Sequence, residues 1–247
     1  MFPAAGKFGV SFKGVLGVSL EKVFQAHMFS VSSGEFSIEN TNFVLNMLGE
    51  FNIKNAALAV ACANMLGVPL AACAESLKQF KGVLGRMQSV PNNLGLTVII
   101  DYGCEPASIK SALEATAQLP HGKLIHVFGS TGGHRDIAKR FIFGKTSAAY
   151  ADQIIITNDD VYNSNPEEIA KNIAEGILKF KLRKPPYEIF LDRRGAIAKA
   201  LKIAQKNDIV LITGKGSEQF LVLPGNKRIP WDEVSVVKEQ LSIIHNS

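Results

Sequence analysis

From about Lys81 to the end of the chain, short apolar, β-branched runs alternate with helical stretches, and this alternation constrains the fold more than any other feature of the sequence. The runs cover residues 96–101, 123–129, 153–158, 187–192 and 208–214. Each is nearly continuous in apolar residues, as strands covered on both faces are. The stretches between them predict helices over 106–118, 140–150, 166–180 and 193–206, two of which open on proline, a favoured first helical position. The expected fold class is therefore α/β: a Rossmann-like, doubly wound, mostly parallel sheet with ligands at the carboxyl ends of its strands. Pro224-Gly225-Asn226 lies between two short apolar runs, 220–223 and 227–229, which predicts a hairpin before a last helix near 232–244.

The first fifty residues read differently. Gly, Phe, Val and Ser dominate, and short alternating runs at 36–38 and 43–45 suggest strands without crossover helices. A helix pair follows at 55–66 and 69–80, ending at Lys81-Gly82. The expected division is a β-plus-helix segment over residues 1–80 and an α/β domain over 81–247. Residues 56–74 are apolar enough to suggest a membrane span, but Asn64, Gly67 and Pro69 interrupt them, so two short buried helices are the better reading.

With 47% hydrophobic and 20% charged residues, the 247-residue chain can bury an ordinary core and is neither fibrous nor disordered. Its net charge of +5 arises from basic residues scattered along the whole chain, which argues against a nucleic-acid stripe while leaving a mild attraction for small anions. Cys62, Cys73 and Cys104 form no C-x-x-C pair, so neither a disulfide framework nor a zinc site is expected, and the cytoplasm is the default compartment. The first residues lack a charged leader followed by an apolar run, so no secretory signal is expected.

Several motifs carry possible chemistry. Gly144-Lys145-Thr146-Ser147 looks like the end of a phosphate-binding loop, but Lys139 stands where that loop needs its first glycine, and the tetrapeptide falls inside a predicted helix. The turn from Gly129 to Asp136 follows a strand directly and suits an anion or substrate site; its His134 alone reads as a solvated loop residue. Gly214-Lys215-Gly216-Ser217-Glu218 repeats the strand-then-glycine pattern at the last strand. Asp159 and Asp160 place two carboxylates at the same edge, suited to a substrate ammonium or, more blandly, to turn formation. Asp101 and Arg86 could address a ribose and a phosphate. Asn52 and Asn55, three apart, are most simply helix caps.

Taken in order, Gly49-Glu50-Phe51-Asn52-Ile53-Lys54-Asn55-Ala56-Ala57, Gly85-Arg86-Met87, Asp101-Tyr102, the glycine turn with Arg135-Asp136 and Lys139-Arg140, and Gly214-Lys215-Gly216-Ser217-Glu218 resemble the Mur ligases. The resemblance runs from about Phe36 to the C-terminus and is nearest to the branch that adds the third peptide residue in peptidoglycan synthesis. It implies an ATP- and Mg²⁺-dependent, cytoplasmic ligase acting on a UDP-N-acetylmuramoyl-peptide and a diamino acid, with no nucleic acid or membrane as partner. By the same resemblance, Asn52, Asn55, Arg86 and Asp101 match ATP-binding positions, and Arg140, Asp159, Asp160, Gly214 and Glu218 match the amino-acid pocket. Residues 1–80 would be a remnant of the central ATPase domain and 81–247 the C-terminal amino-acid-binding domain.

The family's P-loop, magnesium-binding acidic residue and modified lysine have no counterpart here, so no catalytic or metal residue is assigned. The chain alone is expected to be inactive, with the missing ATPase half either encoded upstream in an interrupted ligase or supplied by a separate chain. The family's D-Y-A-H-T-P reads Asp101-Tyr102-Gly103-Cys104-Glu105-Pro106, which predicts a free Cys104 thiol after the first strand of the α/β domain, and its G-K-G-H-E carries Ser217 for histidine. Its D-N-P-R reads Asp159-Asp160-Val161-Tyr162; the lost arginine and added charge predict lysine or ornithine over diaminopimelate. The other readings are a non-catalytic module that binds an amino acid or a partner, and a fragment of a ligase like folylpolyglutamate synthetase.

Overall fold

The computed structural model describes residues 7–11, 23–30, 34–133 and 135–246, which divide between two compact units, Met1–Gly82 and Val83–Ser247. In the first, strands β1 (Lys7–Ser11), β2 (Val23–Ser30), β3 (Glu35–Ile38) and β4 (Thr41–Val44) form an antiparallel sheet in chain order. Phe36 and Phe43 face each other across the β3–β4 pair, and their rings stack at 5.0 Å. Helices α1 (Glu50–Met65) and α2 (Leu70–Gln79) complete the unit. Ile53, Ala57, Val60 and Ala61 recur at helical spacing on α1 and are buried with Phe36, Ile38, Phe43 and Leu45 in one core. The chain breaks helix at Gly67 and Pro69, so the apolar stretch is two helices; among the described residues no helix is long and apolar enough to cross a membrane.

Asn52 and Asn55 are not caps. Helix α1 begins five residues before Asn55, behind Gly49 in the capping position, with no side-chain cap. Asn52 lies in the first turn, buried, its Nδ2 donating to Leu48 O at 2.7 Å, and Asn55 is exposed.

The second unit contains β5 (Gln88–Ser89), β6 (Thr97–Asp101), α3 (Pro106–Ala117), β7 (Leu124–Phe128), α4 (Ala138–Tyr150), β8 (Gln153–Ile156), α5 (Pro166–Lys179), β9 (Tyr187–Ile189), α6 (Arg193–Ile203) and β10 (Ile209–Thr213). A hairpin of β11 (Phe220–Leu223) and β12 (Lys227–Pro230) and helix α7 (Glu233–His245) follow. The main sheet has the order β5-β6-β10-β7-β8-β9; β6 to β10 run parallel and the short β5 pairs antiparallel with β6.

Strand parity explains how both faces are filled. Val98, Ile100, Ile125, Val127, Ile155, Val210 and Ile212 point to one face and pack with Ala196, Ile197, Ala200 and Leu201 of α6 and Val236, Val237 and Leu241 of α7. The alternate residues point to the other face, where His126 meets Ser147 of α4, and α3, α4 and α5 pack side by side. Because β10 returns to lie between β6 and β7, neighbouring strands lead to opposite faces there, the switch point beyond which doubly wound sheets hold their ligands.

Gly144-Lys145-Thr146-Ser147 lies within α4 and serves helix packing. A Cβ at Gly144 would stand 1.9 Å from Ile173 O on α5, and one at Gly176 of α5 would stand 2.1 Å from Phe141 O. The two glycines let the helices touch backbone to backbone, and Lys145 points into solvent.

Candidate functional site

Parallel register brings the expected loops to one edge. Thr213 pairs with Asp101, Ile212 with Val127, and Phe128 with Ile156. Gly214, Gly129 and Asp159 therefore leave the sheet on the same side, as the sequence predicts. The loop after β8 is locked to its neighbour by Gly132 N–H donating to Asp160 O at 2.7 Å. His134 in the same turn lies outside the described residues.

The loops after β8 and β10 carry the charge. Asp159, Asp160 and Glu218 each place a carboxylate oxygen within 4.8 Å of the others. Between them lies Lys215, fully buried, its Nζ 2.8 Å from Asp160 Oδ1 and 2.5 Å from Glu218 Oε2. Asp160 Oδ1 also accepts from Val222 N–H at 2.8 Å, and Asp159 Oδ1 from Asp160 N–H at 2.7 Å. Burial pushes the Asp159 carboxyl above its ordinary range, against the pull of Arg193 and Lys215. Burial disfavours the Lys215 ammonium, but the surrounding carboxylates more than offset this and hold its pKa above the ordinary lysine value. Gly214 has φ +115°, and a Cβ there would lie 2.5 Å from Asp159 Oδ2. Only glycine lets the backbone pass so close to that carboxylate.

A second group lies where β6 ends. Asp101 is buried; its Oδ1 accepts from Gly103 N–H at 2.7 Å and its Oδ2 from Met87 N–H at 2.9 Å. Burial raises its pKa while these two bonds pull it down. The exposed Arg86 guanidinium lies 4.5 Å from the centre of the Tyr102 ring, and Tyr102 OH donates to Glu218 Oε1 at 3.3 Å. Gly85, with φ +67°, brings this segment against the β10 loop: a Cβ there would meet Ser217 N at 2.3 Å. Cys104 is a free, half-buried thiol in the loop after β6, as expected, with burial and then Asp159 pushing its pKa up.

The structure thus brings Asp159, Asp160, Gly214 and Glu218 together. Arg140 makes no hydrogen bond to this cluster among the described residues: its Nη1 donates to Asn172 Oδ1 on α5 at 3.1 Å, and its buried Nε has no partner among them. Arg135, in the loop before α4, is exposed. Arg86 and Asp101 lie at the same sheet edge, whereas Asn52 and Asn55 belong to the first unit. Sequence reasoning missed the buried charges Lys215, Arg193 and Glu233. Lys215 belongs to the Gly214–Glu218 motif, but nothing in that motif marks it as buried.

The sequence model described as "Mur ligase, glutamate ligase domain" matches residues 85–216. A UDP-N-acetylmuramoyl-L-alanyl-D-glutamate--2,6-diaminopimelate ligase of Clostridioides difficile is 40% identical over 194 residues, covering 78% of this chain and 39% of that protein. A ligase of the same name from Aquifex aeolicus is 37% identical over 206 residues, covering 83% and 41%. A solved structure of such a ligase superposes with a TM-score of 0.62 at 26% identity, covering 91% of this chain and 44% of its own. A Thermotoga maritima folylpolyglutamate synthase shares the fold, with a TM-score of 0.52 at 21% identity over 73% of this chain and 40% of its own. The chain spans about two fifths of the length of the curated relatives it matches.

Proposed function

The chain belongs to the Mur ligase family, and from that premise we propose that it is the carboxyl-terminal part of an ATP-dependent ligase that adds the third residue to a UDP-N-acetylmuramoyl-dipeptide. The observation that carries this reading is the cluster of Asp159, Asp160 and Glu218 at the carboxyl edge of the sheet. Three carboxylates face one ammonium, Lys215, so the cluster keeps negative charge for the amine end of an incoming amino acid.

The preference for lysine or ornithine rested partly on Asp160 adding charge to the pocket. Asp160 instead turns to Lys215 and Val222 N–H, so its charge is met within the protein. Arg135 is exposed at the same edge and suited to a second carboxylate. We therefore favour a 2,6-diamino dicarboxylic acid, the class named for the curated relatives. Tyr162, where the family has arginine, still favours lysine, and calorimetry with both amino acids decides. Tighter binding of diaminopimelate, weakened by Arg135→Ala, supports the reading. Tighter lysine binding returns it to the expectation from sequence.

The first unit is read as part of the nucleotide-binding domain, with Asn52 and Asn55 near the adenine; the likeness to a solved ligase over 91% of the chain supports this. For ATP itself the fit is partial. Arg86 offers an exposed guanidinium, but both Asp101 oxygens already accept backbone N–H bonds. The carboxylate cluster does not fit Mg²⁺, because the Lys215 ammonium already sits against two of its three members. Phosphoryl transfer is therefore assigned to the ATPase half of the ligase, carried on a further part of the same protein or on a separate chain, in the cytoplasm. The isolated chain is expected to show no ATP hydrolysis with UDP-dipeptide and diamino acid, and ligation is expected once a chain carrying that half is added. Turnover by the pure chain contradicts this division of labour. Diamino-acid binding without any restored ligation favours a non-catalytic binding module.

A further inference from the structure

Arg193 opens α6 and is 1% exposed, an unusual place for a guanidinium. Its Nε donates to both Glu233 oxygens at 3.1 Å each, and its Nη2 pairs with Glu233 Oε1. Nη2 also donates to Thr213 O at 2.9 Å and Nη1 to Asn158 O at 3.1 Å. Glu233 opens α7 and accepts from Trp231 Nε1–H at 2.5 Å. One side chain thus joins the end of β10, the loop after β8 and α7. Strands β8 and β10 are not neighbours, since β7 lies between them, so their ladders relate the two exits only through β7 and no strand pairing joins them directly. Thr213 adjoins Gly214, and Asn158 adjoins Asp159. Lys215 and Asp160 tie the same two loops, but with charges that an incoming amino acid would compete for.

We propose that Arg193 is a positioning residue: anchored by Glu233, it fixes the distance between Asp159 and the Gly214–Glu218 loop through the backbone carbonyls of Asn158 and Thr213. Its role is geometry more than stability, because buried ion pairs commonly give little net stability over apolar residues of similar volume. The inference deepens the amino-acid-binding reading above and rests on it for the ligand, but not for the loops.

The test compares the full chain with the double variant Arg193→Met/Glu233→Met, which leaves no unpaired buried charge, and with Arg193→Lys, which can pair with Glu233 but lacks the planar fork that reaches both carbonyls. Hydrogen exchange is read at the amides of Asp160, Gly214 and Val222, which bond Asp159, Asp101 and Asp160 respectively. The double variant is expected to melt within about 4 °C of the parent while these amides exchange at least about tenfold faster; Leu211 and Ile212 keep their protection. Arg193→Lys falls between, and it decides alone if the double variant does not fold. Unchanged exchange at the three amides in a folded variant overturns the proposal. Calorimetry with diaminopimelate and lysine should show at least about tenfold weaker binding in the double variant, and undiminished affinity also overturns it. If the parent binds neither amino acid, the proposed function fails, and the exchange result still decides whether Arg193 sets the loops.

Discussion

His126 lies at the middle of the sheet, fully buried, with Nδ1 2.9 Å from Ser147 Oγ and Nε2 3.1 Å from Thr213 Oγ1. Burial, and then the charge of Arg193, hold its pKa down to about 3, so the ring stays neutral in the folded protein. A histidine in the unfolded chain takes its proton near pH 6.5. Its contribution is therefore fully present above pH 6.5 and is lost as pH falls towards about 3, at roughly 1.4 kcal/mol per pH unit. Urea unfolding at pH 7, 6, 5 and 4.5 should show this decline, and His126→Gln should lose that part of the slope; equal slopes in both proteins would rule the idea out. At Asp101 the prediction concerns hydrogen bonds. Asp101→Asn turns an amide N–H₂ towards either Met87 or Gly103 N–H, and a loss of about 1–3 kcal/mol is expected in denaturant unfolding. Asp101, Asp159 and Gly214 were legible in the sequence because each ends an apolar run. Arg193 and Glu233 were not, since a charged residue reads as surface until its partner, forty positions away along the chain, is known to face it.

The elements were legible to differing degrees for physical reasons. The five parallel strands announced themselves because burial on both faces leaves long apolar runs, and the capping residues Asn165, Asp192 and Asp232 lie where the following helices begin. Strand β5, two residues long, is too short to show any period. The start of α1 was misjudged because its capping position holds Gly49, which gives no side-chain signal, while the asparagines downstream looked like caps. The touch between α4 and α5 was also invisible, since Gly144 stood in a motif that suggested phosphate. Gly144→Ala should gain about 1 kcal/mol of helix propensity yet force the new methyl onto Ile173 O, at a cost of about 1–3 kcal/mol or more. A lower thermal midpoint is expected, and Gly144→Ala/Gly176→Ala should lower it further. A midpoint at or above the parent's would mean the helices can part without loss.

At the scale of the whole molecule, each unit has its own core, one around Phe36, Phe43 and α1, the other spread over both faces of the six-stranded sheet. A protein beginning at Val83 is therefore expected to fold by itself, with one cooperative transition by circular dichroism. Trypsin should cut the full chain early after the exposed Lys81 and leave the fragment that begins at Gly82 intact. A broad, non-cooperative melt, or rapid loss of the fragment, would show that the second core is not self-sufficient. Helix signals stop at Phe80 and a glycine follows, but nothing in the sequence marks the chain's route beyond it. After Gly82 the backbone joins the sheet at its edge strand β5, but it meets the loop after β10 first. Within three residues it reaches Gly85, pressed against Ser217 and one residue from the arginine that covers Tyr102, whose hydroxyl holds Glu218. The lead-in segment of this unit and the loop carrying Glu218 thus share one seat, so a side chain introduced at Gly85 would displace that carboxylate as directly as a change in its own loop.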